Sequence, residues 1–288
     1  MALSVPAREP DANTTVVGVI GSPVRHSLSP LLHNTAFAEM GLNWISLAFE
    51  VAPGLAAVAL EGMRALGLAG LSVTMPHKAD AAAAVDECSE VAMRLGAVNC
   101  VVNRNGRLRG ENTDGAGFIA SLARGAGFDP EGRRCLVIGA GGAARAVVLA
   151  LAESGAADVA VVNRTPERAA EVAALAGSRG RVAETDEADV AQAELVVNAT
   201  PVGMAGSATG PDDEGWLVPP GLLHQGQVVA DLVYAPRPTR WLAAAADAGA
   251  RTVDGLGMLV HQAAAQLELW TGMDPPADAM WRAVESRA

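Results

Sequence analysis

The chain has 288 residues, of which half are apolar and 18% charged, with a formal net charge of −11. That length suits two domains better than a single core. The acidic balance and a 3% aromatic content argue against a nucleic-acid partner, which needs a basic face and stacking rings.

Cys88, Cys100 and Cys135 are widely spaced and form no C-x-x-C pair. Neither a zinc framework nor a disulfide scaffold is indicated, and a reducing, cytoplasmic compartment fits. The first fifteen residues read as a polar leader without the apolar stretch of a signal peptide. No apolar run approaches the ~18 residues that a membrane span needs.

In chain order, the β-branched run over residues 14–20 predicts a buried strand that breaks at Gly21-Ser22-Pro23. A helix follows over 29–41, with Ser29 as its N-cap, Pro30 in its first turn and Gly41 closing it. Residues 44–51 predict a strand, 54–67 a helix and 70–75 a third strand, and another helix starts near Lys78. Residues 97–112 read as a hairpin turning on Asn105-Gly106. A first α/β unit therefore ends near Asp114.

The second unit opens with the short apolar strand Arg134–Ile138, a glycine-rich turn and an alanine-rich helix. A strand over 158–165, a helix over 166–177, and strands in 193–204, 227–234 and 250–255 continue the alternation. This pattern predicts a doubly wound, largely parallel sheet. Residues 257–272 and 276–286 are helical, and 207–215 is the most linker-like stretch.

Gly139-x-Gly141-x-x-Ala144 follows a strand and opens a helix, the setting of a dinucleotide-binding turn. The glycines let pyrophosphate approach the backbone, and the helix N-terminus offers free N–H groups. The next strand ends in Asn163, Arg164 and Thr165, with Arg168 one turn on. An NAD site usually has a carboxylate there, whereas arginines suit the 2′-phosphate of NADP.

Lys78 is the single lysine among 21 basic residues. A lysine can pass a proton, and an arginine cannot. Around it lie polar side chains suited to a hydroxylated substrate: Ser27 and Ser29, Ser72 and Thr74 on one strand face, Asn99, and Asp114. Each also has a structural reading, such as capping a helix or holding a turn. His26, His33, His77 and His261 make no metal-ligand spacing, so no metal is expected.

The segments GSPVRHSLSPLLHN, SVTMPHK, GAVNC, GENTDG, GAGGAARA, VVNRT, NATPVGM, DLVYAPRPT and DGLGMLVHQA stand in this order. Together they resemble the signature segments of shikimate dehydrogenases, over nearly the whole chain. The resemblance implies two α/β domains, the second a Rossmann-type parallel sheet, and reversible NADPH-dependent reduction of 3-dehydroshikimate to shikimate on the route to aromatic amino acids. It implies a substrate domain over 1–114, an NADP domain over 115–253, and C-terminal helices over 254–288 that pack back on the substrate domain. A monomer or homodimer with no partner beyond its small-molecule substrate is expected.

Carried over by position, Lys78 and Asp114 form the catalytic pair. Ser27, Ser29, Ser72, Thr74, Asn99, Tyr234 and Gln262 bind substrate. Gly139, Ala140, Gly141, Gly142 and Ala143 carry the pyrophosphate, and Asn163, Arg164, Thr165 and Arg168 take the adenosine-phosphate end. Thr200, Leu232 and Gly255 lie toward the nicotinamide. The chain departs from the family pattern at Ser72, where Asn is usual, so one ring-hydroxyl contact is lost or taken by water. That keeps a quinate or aminoshikimate dehydrogenase open as an alternative. A non-catalytic ligand sensor would be free to lose Lys78 or Asp114, and both are present.

Overall fold

A computed structural model describes residues 9–184, 187–204 and 218–285. The linker-like stretch 207–215 and the start of the polar leader lie outside them. The chain divides into two units, one of residues 1–113 with 262–287 and the other of residues 114–261. The division thus falls one residue before the sequence boundary at 114 and inside the penultimate helix rather than at 254.

The first unit holds β1 (Thr15–Gly21), α1 (Ser29–Glu39), β2 (Trp44–Glu50), α2 (Ala56–Leu66), β3 (Gly70–Val73), α3 (Lys78–Ala84), β4 (Glu87–Cys88), α4 (Glu90–Leu95), β5 (Cys100–Arg104) and β6 (Arg107–Glu111). Its sheet has the order β2-β1-β3-β5-β6-β4, parallel across β2, β1 and β3 and antiparallel at β3–β5 and β5–β6. The hairpin turns where expected, with Asn105 at φ 54° and Gly106 at φ 86°, the positive pair that a tight two-residue turn requires. The short β4 and α4 have no counterpart in the sequence reading. Two strand residues and six helical ones are too few to show a period, and α4 starts on a cap, Ser89 accepting the Ala92 N–H at 3.3 Å.

The second unit holds α5 (Asp114–Ala126), β7 (Arg134–Ile138), α6 (Gly142–Glu153), β8 (Asp158–Val162), α7 (Pro166–Ala173), β9 (Gly180–Val182), α8 (Glu187–Gln192), β10 (Leu195–Asn198), β11 (Val228–Asp231), α9 (Arg240–Asp247) and β12 (Arg251–Val253). Two helices follow, α10 (Gly255–Thr271), whose residues divide between the units at Gln262, and α11 (Ala277–Glu285) of the first unit. The second sheet is parallel throughout, in the order β12-β11-β10-β7-β8-β9. Two successive three-strand halves diverge from β7 and β10, which is the Rossmann order with its switch point between those strands.

The apolar run of β7 is explained by burial on both faces. Cys135 and Val137 enter one core with Val147, Leu151 and Phe118, while Leu136 and Ile138 enter a second with Trp241 and Leu242. Each fully buried Val or Leu contributes about 1.5–3 kcal/mol, so a polar substitution at any of these positions is severe. In the first unit Ile20, Leu71, Val73 and Val101 pack with Leu60 and Met63 of α2. These cores leave the carboxyl ends of the strands to carry the polar residues.

Candidate active site

In the first unit β1 and β3 run side by side, with Ile20 opposite Val73. The chain leaving β3 is pinned at nearly every residue. Thr74 N–H donates to the Ile20 carbonyl at 3.0 Å, Ser22 N–H to Met75 at 3.0 Å, and His77 N–H to Thr74 at 3.0 Å. The buried His77 ring donates from Nε2 to the Val51 carbonyl at 2.8 Å, a structural role. Val98 N–H then donates to the Lys78 carbonyl at 2.9 Å. Lys78, half-buried at the start of α3, therefore has a fixed backbone from which its ammonium reaches. Among the described residues no group of His, Cys, Asp and Glu could hold a metal ion.

Ser29 does not cap α1. Leu28 already has helical φ and ψ, so the chain has turned one residue earlier, and Ser27 Oγ accepts the Ser29 N–H at 3.3 Å. Ser29 is buried as the first helical residue, and Ser72 is buried on β3.

Asn99 sits just before β5, and its side chain is fixed by Thr113. Its Oδ1 accepts the Thr113 N–H at 2.8 Å, and its Nδ2 donates to Thr113 Oγ1 at 3.0 Å. That hydroxyl donates to the Gln262 carbonyl at 3.1 Å. Gln266 Nε2 donates to Gln262 Oε1 at 2.9 Å and to the Asn99 carbonyl at 3.1 Å. Asn99 and Gln262 thus belong to one buried polar cluster. Thr113 and Gln266 complete it, and the sequence reading named neither. Asp114 follows Thr113 and opens α5, so it belongs to the second unit while Lys78 belongs to the first.

In the second unit the predicted nucleotide residues gather at the carboxyl ends of β7, β8, β10 and β11. Gly139 has φ 122°, and a Cβ there would stand 2.8 Å from the Ala199 carbonyl, so only glycine fits this turn. A Cβ at Gly141 or Gly142 would meet nothing within 4 Å, which leaves open space above the N-terminus of α6. No side chain caps that N-terminus. Ala144 beyond it is fully buried, giving close helix-to-strand packing.

Asn163 Nδ2 donates to the Thr165 carbonyl at 3.1 Å and shapes the turn into α7. Arg164, Thr165 and Arg168 are exposed there, and neither arginine forms an ion pair among the described residues. An open backbone cradle, an uncapped helix N-terminus and two arginines that form no ion pair among the described residues, even with Glu167 between them in the chain, fit a phosphorylated dinucleotide.

A buried network supports Thr200. Asn198 Oδ1 accepts the Thr200 hydroxyl at 2.7 Å and its N–H at 2.9 Å, while Asn198 Nδ2 donates to Asp231 Oδ1 at 2.8 Å. Asp231 also accepts the Val233 N–H at 3.0 Å and the Thr239 hydroxyl at 2.7 Å. Burial pushes the Asp231 carboxyl above its ordinary range despite these donors. The sequence signal for this network was present, since an Asn and an Asp each end an otherwise apolar strand. Gly255 packs so closely on the Leu232 carbonyl that a Cβ would collide with it, which joins two predicted cofactor residues. Tyr234, half-buried two residues on from Leu232, has its phenol pKa raised by burial.

The profile for the shikimate dehydrogenase substrate binding domain matches residues 19–101. The shikimate/quinate 5-dehydrogenase profile matches 121–203, and the shikimate 5'-dehydrogenase C-terminal domain profile matches 255–285. A shikimate dehydrogenase (NADP(+)) of Moorella thermoacetica is 46% identical, over 94% of this chain and 92% of its own. The chain belongs to the shikimate dehydrogenase family. A shikimate dehydrogenase (NADP(+)) of Methanopyrus kandleri is 45% identical over 95% and 96% of the two chains. The structure of the Thermus thermophilus shikimate 5-dehydrogenase, in complex with NADP(H) and shikimate, superposes with a TM-score of 0.86 at 38% identity and covers 95% and 99%.

The first shikimate dehydrogenase profile spans Ser27, Ser29, Ser72, Thr74, Lys78 and Asn99. The second spans the whole nucleotide cradle from Gly139 to Arg168 and reaches Thr200. Asp114, Leu232 and Tyr234 fall outside all three matched segments.

Proposed function

We propose that this chain is an NADP-dependent shikimate dehydrogenase, catalysing reversible reduction of 3-dehydroshikimate to shikimate in aromatic amino acid biosynthesis. The observation that carries this reading is the turn from Thr74 to Lys78, where a rigid backbone presents the chain's single lysine at the carboxyl end of a strand. NADPH, when bound over Gly141 and Gly142, supplies a hydride to the ketone carbon. The alkoxide left on the substrate needs a proton, which the Lys78 ammonium donates. In the oxidation direction the neutral amine takes the hydroxyl proton. Asp114 is the carboxylate that complements the lysine charge.

Ser27 and Ser29 hold the shikimate carboxylate, Thr74, Asn99 and Gln262 hold ring oxygens, and Tyr234 is a further substrate-binding residue. Arg164 and Arg168 take the 2′-phosphate, while Asn163 and Thr165 shape the turn that carries them. The same reading places the enzyme in the cytoplasm, where its three cysteines, all free, stay reduced.

Ser72 favours one second reading. A serine is shorter than the family's usual asparagine and lacks its amide donors, so quinate or aminoshikimate is accommodated in place of strict shikimate specificity. Initial rates at 340 nm on shikimate, quinate and aminoshikimate, each with NADP+ and NAD+, decide between them. Turnover on quinate with NAD+ and none on shikimate with NADP+ would overturn the main reading.

A further inference from the structure

Gln262, Gln266 and Trp270 are spaced i, i+4, i+8 and share one face of α10. Gln266 is fully buried on that face, and its Nε2 spends both hydrogens, one on the Asn99 carbonyl at 3.1 Å and one on Gln262 Oε1 at 2.9 Å. The Asn99 carbonyl is an acceptor only, so the atom of Gln266 facing it must be the amide nitrogen. The same carbonyl accepts the Val73 N–H at 2.8 Å from β3, which fills its second lone pair. Gln262 must then turn its oxygen toward Gln266, because an NH2 there would oppose another NH2. The Gln262 amide is left with one orientation, its oxygen engaged and its nitrogen directed elsewhere.

Stability alone does not account for this arrangement. Gln266 Oε1 is buried without a hydrogen-bond partner, a cost that an apolar side chain of similar volume would avoid. We infer that Gln266 is a positioning residue for the substrate. It sets the polarity of the Gln262 amide, so that Gln262 offers an N–H donor and not an acceptor to a substrate oxygen. This rests on the reading above that Gln262 contacts the shikimate ring.

The test is a cycle of Gln266→Leu, Gln262→Ala and the double variant, with initial-rate kinetics on shikimate and NADP+ and thermal melts alongside. Gln266→Leu is expected to raise the shikimate KM about fivefold or more, the worth of one hydrogen bond held in place. The NADP+ KM should stay within about twofold. In the Gln262→Ala background the same substitution should add nothing, because Gln266 acts only through Gln262. If Gln262→Ala raises the shikimate KM while Gln266→Leu leaves it unchanged, or raises it equally in both backgrounds, the inference falls and the site reading stands. If Gln262→Ala itself leaves that KM unchanged, the site reading fails and carries the inference with it. Should Gln266→Leu not fold, Gln266→Met supplies a similar volume without a donor and is judged by the same outcomes.

Discussion

The indole of Trp270 occupies the space that a Cβ on Gly70 would need, and its N–H donates to the Val101 carbonyl at 3.1 Å. Strand β3 therefore carries a glycine where α10 lands. Arg104 adds a second tie, its guanidinium donating to the Leu269 carbonyl at 2.9 Å. Trp270→Ala should cost about 3–5 kcal/mol through the cavity left behind. Gly70→Ala should cost about 1–3 kcal/mol through overpacking. The two must be strongly coupled, with the Gly70→Ala penalty vanishing once the indole is gone. Urea unfolding of the four members of the cycle measures this, and additive penalties would contradict the packing described.

Most of the architecture was legible because period and punctuation agree with it. The β7 run alternates into two cores, the Asn105-Gly106 turn takes its required positive φ pair, and Gly139 stands where only glycine fits. Long-range polar partners were harder to read. Thr113 and Gln266 matter because folding brings them against Asn99, and no spacing in the chain encodes a contact between residues 99 and 266. The cap of α1 was misassigned for a local reason, since Leu28 is already helical and the cap-like bond shifts to Ser27. Strand β9 escaped notice because its three edge residues, a half-buried glycine and two exposed side chains, give no alternation.

Lys78 should be the residue whose loss separates chemistry from binding. Lys78→Ala is expected to lower kcat by about 10²–10⁴, the range of a general acid–base group, with the shikimate KM changed by no more than a few-fold. Lys78→Arg should be nearly as poor, because a guanidinium does not give up its proton. Steady-state kinetics on both variants provide the check, and near-normal turnover in either would remove Lys78 from proton transfer.

Cofactor choice should reside in Arg164, just past β8, and Arg168, in the first turn of α7. Each lacks an ion-pair partner among the described residues, so replacing it breaks no internal contact of that kind. Arg164→Ala and Arg168→Ala should each lower kcat/KM for NADP+ by about 10–100-fold, the worth of a hydrogen bond between charged groups. Values for NAD+, which has no 2′-phosphate, should hardly move. An equal loss with both cofactors would show that these side chains serve the fold and not the phosphate.

His33 should make the protein acid-sensitive. It is fully buried, with Nδ1 at 2.9 Å from Ser46 Oγ and its ring set edge-on to Trp270 at 5.0 Å between centroids. Burial lowers its pKa from 6.5 to about 3. The unfolded chain therefore binds a proton below about pH 6.5 that the folded chain refuses until about pH 3. Stability falls as pH drops through that window, by up to about 1.4 kcal/mol per unit, or about 2 kcal/mol at pH 5. His33→Gln should flatten the pH dependence of urea unfolding between pH 6.5 and 4.5. A slope unchanged from the parent would assign the acid sensitivity to other groups.

Asp231 should behave in the opposite sense. Burial raises its folded pKa above the unfolded value of about 3.9, so the folded state holds the proton more tightly. The stability this adds is complete below the unfolded pKa and is lost as pH rises through the folded one. At neutral pH the ionised carboxylate carries a desolvation cost, which its three donors, Asn198 Nδ2, Val233 N–H and the Thr239 hydroxyl, offset in part. Asp231→Asn keeps an oxygen for Asn198 and Val233 and offers its NH2 to the Thr239 hydroxyl, so it should be at least as stable as the parent at pH 8. Asp231→Ala orphans all three donors, each costing about 1–3 kcal/mol, and should be severely destabilised. Because Asn198 in turn holds Thr200, the alanine variant should also raise the NADP+ KM while the asparagine variant leaves it near normal. Unfolding curves and cofactor kinetics on the pair separate charge from geometry. If asparagine proved as damaging as alanine, the negative charge itself, and not the acceptor positions, would be what the carboxyl ends of β10 and β11 require.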